Sequence, residues 1–163
     1  MRQVDIIADS IAEPLPDDED ITVKEEAFRV VLPGDYVEFV KQYGGGRPVV
    51  GTFMGDGHEW AIDRFLCVLK EFKEHPLGWY DIEVIQSQVG DRMWEDPDAL
   101  GAAMVPIVAL FAGDSVCLDY RASKNMPRTE PTVVVWLHEE SKPGFPATRP
   151  VCGTFTEFLN LVT

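Results

Sequence analysis

The sequence predicts an α+β domain, a mainly antiparallel sheet with helices packed on one side. Three observations carry that reading. Residues 32–46 spell a short helix with its own start and stop, residues 104–120 spell a β-hairpin, and Thr154-Phe155-Thr156-Glu157 opens a closing helix after the last apolar strand. With 163 residues, 45% hydrophobic and 26% charged, the chain is long enough for one domain with a substantial core.

Residues 1–20 read as an acidic N-terminal leader, punctuated by Pro14 and Pro16 and ending in the solvated run Asp17-Asp18-Glu19-Asp20. The domain proper is expected over residues 21–163. Thr22-Val23-Lys24-Glu25 has capping-box form and predicts a helix to Val30. Leu32, restricted by the proline after it, separates this helix from the next. Pro33 suits a first helical position, and Asp35 and Glu38 complement the helix dipole. Tyr36, Phe39, Val40 and Tyr43 recur at i, i+3, i+4 and i+7 as one apolar face, and Gly44 permits a left-handed cap.

Extended structure follows. Val49 to Met54 reads as a strand stopped by Gly55-Asp56-Gly57, and Trp60 to Leu69 as a second strand. Trp79 to Val89 predicts a helix stopped by Gly90, and Asp96-Pro97 opens one further helical turn. Met104 to Phe111 is an apolar run, and Gly113-Asp114 makes a turn. Val116, Leu118 and Tyr120 then alternate with Ser115, Cys117 and Asp119, which predicts a hairpin with one strand more buried than the other. Val133 to Leu137 is apolar on both faces and should be interior. A proline-rich loop leads to the final helix, which offers Phe155, Phe158, Leu159 and Val162 to the core.

Charge narrows the function classes. Twenty-eight acids against 14 bases give a formal net charge of −14. Such a field repels nucleic acid and anionic membranes and draws basic partners. The first residues lack the uninterrupted apolar core of a secretion signal, and no run approaches the ~18–20 apolar residues of a membrane span. Cys67, Cys117 and Cys152 are an odd count without C-x-x-C spacing, which fits reduced thiols and a cytoplasmic protein.

Catalytic patterns are weak. Gly44-Gly45-Gly46 follows a helix, whereas a phosphate loop precedes one and carries Lys-Ser/Thr after it. Gly113-Asp114-Ser115-Val116-Cys117 begins like a nucleophile elbow, but Cys117 replaces the final glycine and the segment lies in a predicted hairpin. Ser115 is expected as an outward strand residue and Asp114 as a turn former. His58, His75 and His138 have no ligand-spaced companion. His138-Glu139 is the best acid–base pair, weighed against an imidazole held by a carboxylate at the sheet margin. No catalytic, cofactor or metal site is therefore assigned. A small hydrolase using Ser115, or His138 with Glu139, is the competing enzymatic reading.

Four segments, taken in order, resemble one family. They are Leu32-Pro33 through Tyr36, Phe39 and Tyr43-Gly44-Gly45-Gly46; Val105-Pro106-Ile107 leading to Gly113 through Asp119; Val133 to Glu139; and Thr154 to Leu159. Their identity and order are similar to the SUKH superfamily, in the branch related to the yeast Smi/Knr cell-wall synthesis regulator. Gly44 stands where that family usually has asparagine, and the stretch between Gly57 and Gly101 aligns with no family pattern. The resemblance implies an α+β domain that performs no chemistry. In bacteria such proteins are typically immunity proteins that bind and neutralise toxin domains of polymorphic or contact-dependent systems, many of them nucleases. The expected partner is thus a basic toxin domain, with no direct nucleic acid, membrane or cofactor. Asp56, Trp79, Tyr80, Asp114 and Glu139 are the expected exposed contacts, chosen on predicted exposure. An adaptor or regulatory domain on the same scaffold is the alternative.

Overall fold

Helix formation begins one turn earlier than the Thr22 box predicts. In the computed structural model, which describes residues 4–94 and 102–163, α1 spans Asp18–Phe28 with Asp17 as its N-cap. The Asp20 N–H donates to Asp17 at 2.9 Å and the Asp17 N–H donates to Asp20 at 3.0 Å. The Asp20 N–H also holds the Asp17 carboxyl below its ordinary range. Aspartate at both positions outcompetes Thr22, which lies inside the helix and donates its hydroxyl to the Asp18 carbonyl. The helix also stops sooner than expected, because Arg29 turns left-handed at φ 56°. Val30 then leaves the helix and bridges Arg128 in parallel.

Helix α2, Gly34–Tyr43, forms where expected and ends on Gly44 as the left-handed cap at φ 68°. It starts one residue later, since Pro33 with ψ 141° is the N-cap and not the first helical residue. Tyr36, Phe39 and Val40 are buried. Their partners come from α4, Phe155–Leu161, capped by Thr154 accepting the Glu157 N–H. The Phe155 ring lies 5.2 Å from Tyr36 and 5.3 Å from Phe39, edge-on to both.

The sheet is a six-stranded antiparallel meander in chain order. Its strands are β1 (Thr52–Gly55), β2 (His58–Phe65), β3 (Met104–Leu110), β4 (Ser115–Asp119), β5 (Thr132–Trp136) and β6 (Thr148–Cys152). Strand β6 was expected as loop. Pro150 and the absence of alternation hide it in the sequence, and its edge position makes the proline tolerable. Strand β2 ends at Phe65, four residues before the expected Leu69.

Alternation along the central strands feeds two cores. Val116, Leu118, Val133 and Val135 face the main cluster with α2 and α4. Cys117, Val134 and Trp136 face a smaller cluster with Met93 and Met104, and Val89 packs against it. Ser115 is consequently buried, at 6% exposure, and not outward as expected. The cover comes from helix α3, Ile82–Val89, and the 3-10 turn Gly90–Arg92 that follows it. Trp79 and Tyr80 precede α3 in a separate 3-10 turn, Gly78–Tyr80, because Asp81 is the true N-cap. The Asp96-Pro97 turn lies outside the described residues.

The sheet curls until its edges meet. A Cβ on Gly55 of β1 would lie 3.2 Å from Val151 of β6. Thr52 and Thr163 exchange backbone hydrogen bonds of 2.9 and 2.8 Å, so the segment after α4 covers the β1 edge. Residues 4–16 run along the glycine segment. Ile7 N–H donates to Arg47 O at 2.8 Å, Ile6 bridges Pro48, and Val4 and Ala12 are buried.

Candidate interaction surfaces

The strand register places the β1–β2 turn, the β3–β4 turn and the β5–β6 loop at one end of the sheet. Asp56, Asp114 and Glu139 therefore share that end. Asp56 holds the turn at φ 50° and pairs with Arg149 at 3.3 Å across the sheet closure. Glu139 is exposed. Asp114 is half-buried, and its carboxylate accepts the His138 backbone N–H at 2.8 Å. That carboxylate organises the loop through the main chain of His138, not through the imidazole as expected. The ring lies edge-on to Trp136, 5.9 Å between centroids. The same end exposes Phe111 at 62% and Phe145 at 75%.

Trp79 and Tyr80 lie elsewhere, beside the continuation of β2, where Cys67 N–H donates to Tyr80 O at 2.8 Å. Only Trp79 faces outward, at 70% exposure. Tyr80 is half-buried, with the Arg64 guanidinium 4.6 Å from its ring centroid. Gly78 is required in this turn, since a Cβ there would fall 1.9 Å from the Phe72 carbonyl oxygen. His75 braces the turn by accepting the Leu77 N–H on Nδ1 at 2.9 Å, which leaves Nε2 to donate to the Glu13 carbonyl at 2.5 Å.

Two features were illegible in the sequence. Lys24 of α1 is buried at 2% exposure and reaches Asp81 at 2.9 Å and Glu83 at 3.3 Å. Asp81, fully buried, also accepts the N–H groups of Glu83 and Leu69, both at 2.8 Å. A capping aspartate immediately before a helix is a readable signal, but its lysine lies 57 residues away. The second feature is a groove of about 440 Å³ between α1 and the loop at Met126-Pro127. Thr22, Glu25, Glu26 and Arg29 line one side, and Val30, Val31, Met126 and Pro127 the other.

Among the described residues no cluster of three or more His, Cys, Asp or Glu side chains could hold a metal ion. Burial pushes the Cys67 thiol up to about 12 and the Cys152 thiol to about 11, and raises Cys117 as well. Such groups are poor nucleophiles at neutral pH. Among the described residues no helix is long and apolar enough to cross a membrane.

Residues 15–161 match the sequence model of the SMI1 / KNR4 family (SUKH-1). No curated protein and no solved structure matches the chain.

Proposed function

Because the chain belongs to the SMI1 / KNR4 family (SUKH-1), we propose that it is a bacterial immunity protein, a cytoplasmic and non-catalytic binder that neutralises a cognate toxin domain by direct contact. Family membership supports the class, since such domains often act in immunity. The observation that carries the choice of partner is the net charge of −14. A nuclease domain, basic because it must grip phosphate, is the toxin class that this field attracts most strongly. Asp56, Asp114 and Glu139 supply acids at one end of the sheet. Trp79, backed by Tyr80, supplies a large apolar anchor of the kind that dominates interface energy. Long-range charge would speed encounter, while the desolvated anchor would set the residence time.

Co-expression with the toxin domain encoded beside this gene tests the reading. The expected result is host survival together with a complex that persists at physiological salt. Host death with no complex formed would sink it.

A further inference from the structure

We propose that the groove between α1 and the Met126-Pro127 loop seats a basic segment of the protein partner that carries one apolar side chain. This rests on the reading of a basic protein partner and names where such a partner inserts. Val30, Val31, Met126 and Pro127 make one wall of the groove apolar. Val31 and Met126 remain 44% and 51% exposed although both flank a concave site. A volume of about 440 Å³ falls within the range of sites that enclose a ligand or a side chain with its neighbours.

Charge selects the occupant. Helix α1 contains five acids and a single lysine, and that lysine is turned inward onto Asp81. The stripe of α1 that lines the groove, read at i, i+3, i+4 and i+7, is Thr22, Glu25, Glu26 and the C-cap Arg29, two acids and one base. Asp18 and Glu19 add exposed acids at the start of the same helix. The Lys41 ammonium already pairs with Asp18, and Glu25 accepts the Leu32 N–H at 2.7 Å. Glu26 lines the groove and is exposed. An acidic partner or a nucleic acid would be repelled there. A segment with lysine or arginine on either side of a leucine, methionine or aromatic residue satisfies both the acidic side on α1 and the apolar wall.

The test uses the whole chain, labelled with nitrogen-15, and a panel of eight-residue peptides with Lys or Arg flanking a central Leu, Met, Phe or Trp. Saturable amide shifts should concentrate at Thr22, Glu26, Val31 and Met126. Affinity should fall at least tenfold when the central residue becomes Gly, and again in Met126→Glu and Glu26→Lys variants whose spectra remain folded. Equal affinity of the Gly peptides, or shifts spread over the acidic surface, would overturn the groove as a specific seat. Concentration-dependent broadening of the groove amides without peptide would assign it to a second copy of this chain and also overturn the proposal. Peptide seated in the groove by a protein that binds no toxin domain would leave the groove intact and remove the immunity reading.

Discussion

Gly45 has a backbone φ of 109°, and a Cβ there would lie 2.6 Å from the Leu66 carbonyl oxygen. Its neighbours are equally confined, since a Cβ on Gly44 would lie 2.5 Å from the Ala12 oxygen and one on Gly46 2.8 Å from Ile6. The three glycines therefore let neighbouring chain segments approach closely. Gly45→Ala should cost about 2–3 kcal/mol in urea unfolding, because an L-residue is strained at that φ and meets fixed backbone. A cost below about 0.5 kcal/mol, ordinary for an exposed site, would mean that the approach is looser than described. The cysteines respond to a different residue-scale property. With its thiol near 11, Cys152 exposes only about one thiolate in a thousand at pH 8. A raised thiol value means the reactive form appears only as pH climbs towards it. Iodoacetamide at pH 8 should leave Cys67 and Cys117 unmodified in the native protein, with Cys152 labelled slowly, and all three should react in denaturant. Mass spectrometry reads the result directly.

At the scale of elements, two ion pairs made by α1, one to α2 and one to α3, show how burial sets energy. Lys41 and Asp18 lie on the surface, with side-chain exposures of 39% and 90%. Lys24 and Asp81 are 2% and 0% exposed and join α1 to the N-terminus of α3. Lys24→Ala leaves a buried carboxylate without its cation and should cost about 3–5 kcal/mol. Lys41→Ala should cost less than about 1 kcal/mol, since solvent screens the pair and side-chain entropy offsets it. Chemical denaturation of both variants checks the contrast. Similar costs would show that the Lys24 pair does not bear on stability as its burial requires. The early start of α1 belongs to the same scale. Two capping boxes lie five residues apart in the chain, and the Asp17-Asp20 pair prevailed over Thr22-Glu25.

For the whole molecule, net charge and fold act on different quantities. A charge of −14 does not specify a meander of six strands, but it does govern encounter with a basic partner. Raising ionic strength from 0.1 to 1 M shortens the Debye length from about 10 Å to about 3 Å. Association with a basic toxin domain should therefore slow at least tenfold over that range, while the dissociation rate changes far less. Stopped-flow or surface-based kinetics measures both. A salt-independent association rate would contradict the charge-led encounter. The curled sheet adds a geometric consequence, because it brings Asp56 of the first hairpin beside Arg149 of the last strand. Residues far apart in sequence thus form one end of the molecule, with Asp114 and Glu139 between them in chain order.

The fold class, the aromatic face of α2, the hairpin of β3 and β4, and the Thr154 cap of α4 all follow from local pattern. Each depends on residues within a turn or two of one another, which periodicity and capping chemistry register directly. The acidic character on which the proposed basic partner rests is likewise set by composition alone. Burial of Ser115, the inward turn of Lys24 and Tyr80, the β6 edge strand and the groove beside α1 were decided only in three dimensions. Each depends on a surface supplied by a distant segment, such as Met93 behind Cys117 or Met126 across from Glu26. A linear pattern records what a side chain prefers, and the packed chain determines which distant residue meets that preference.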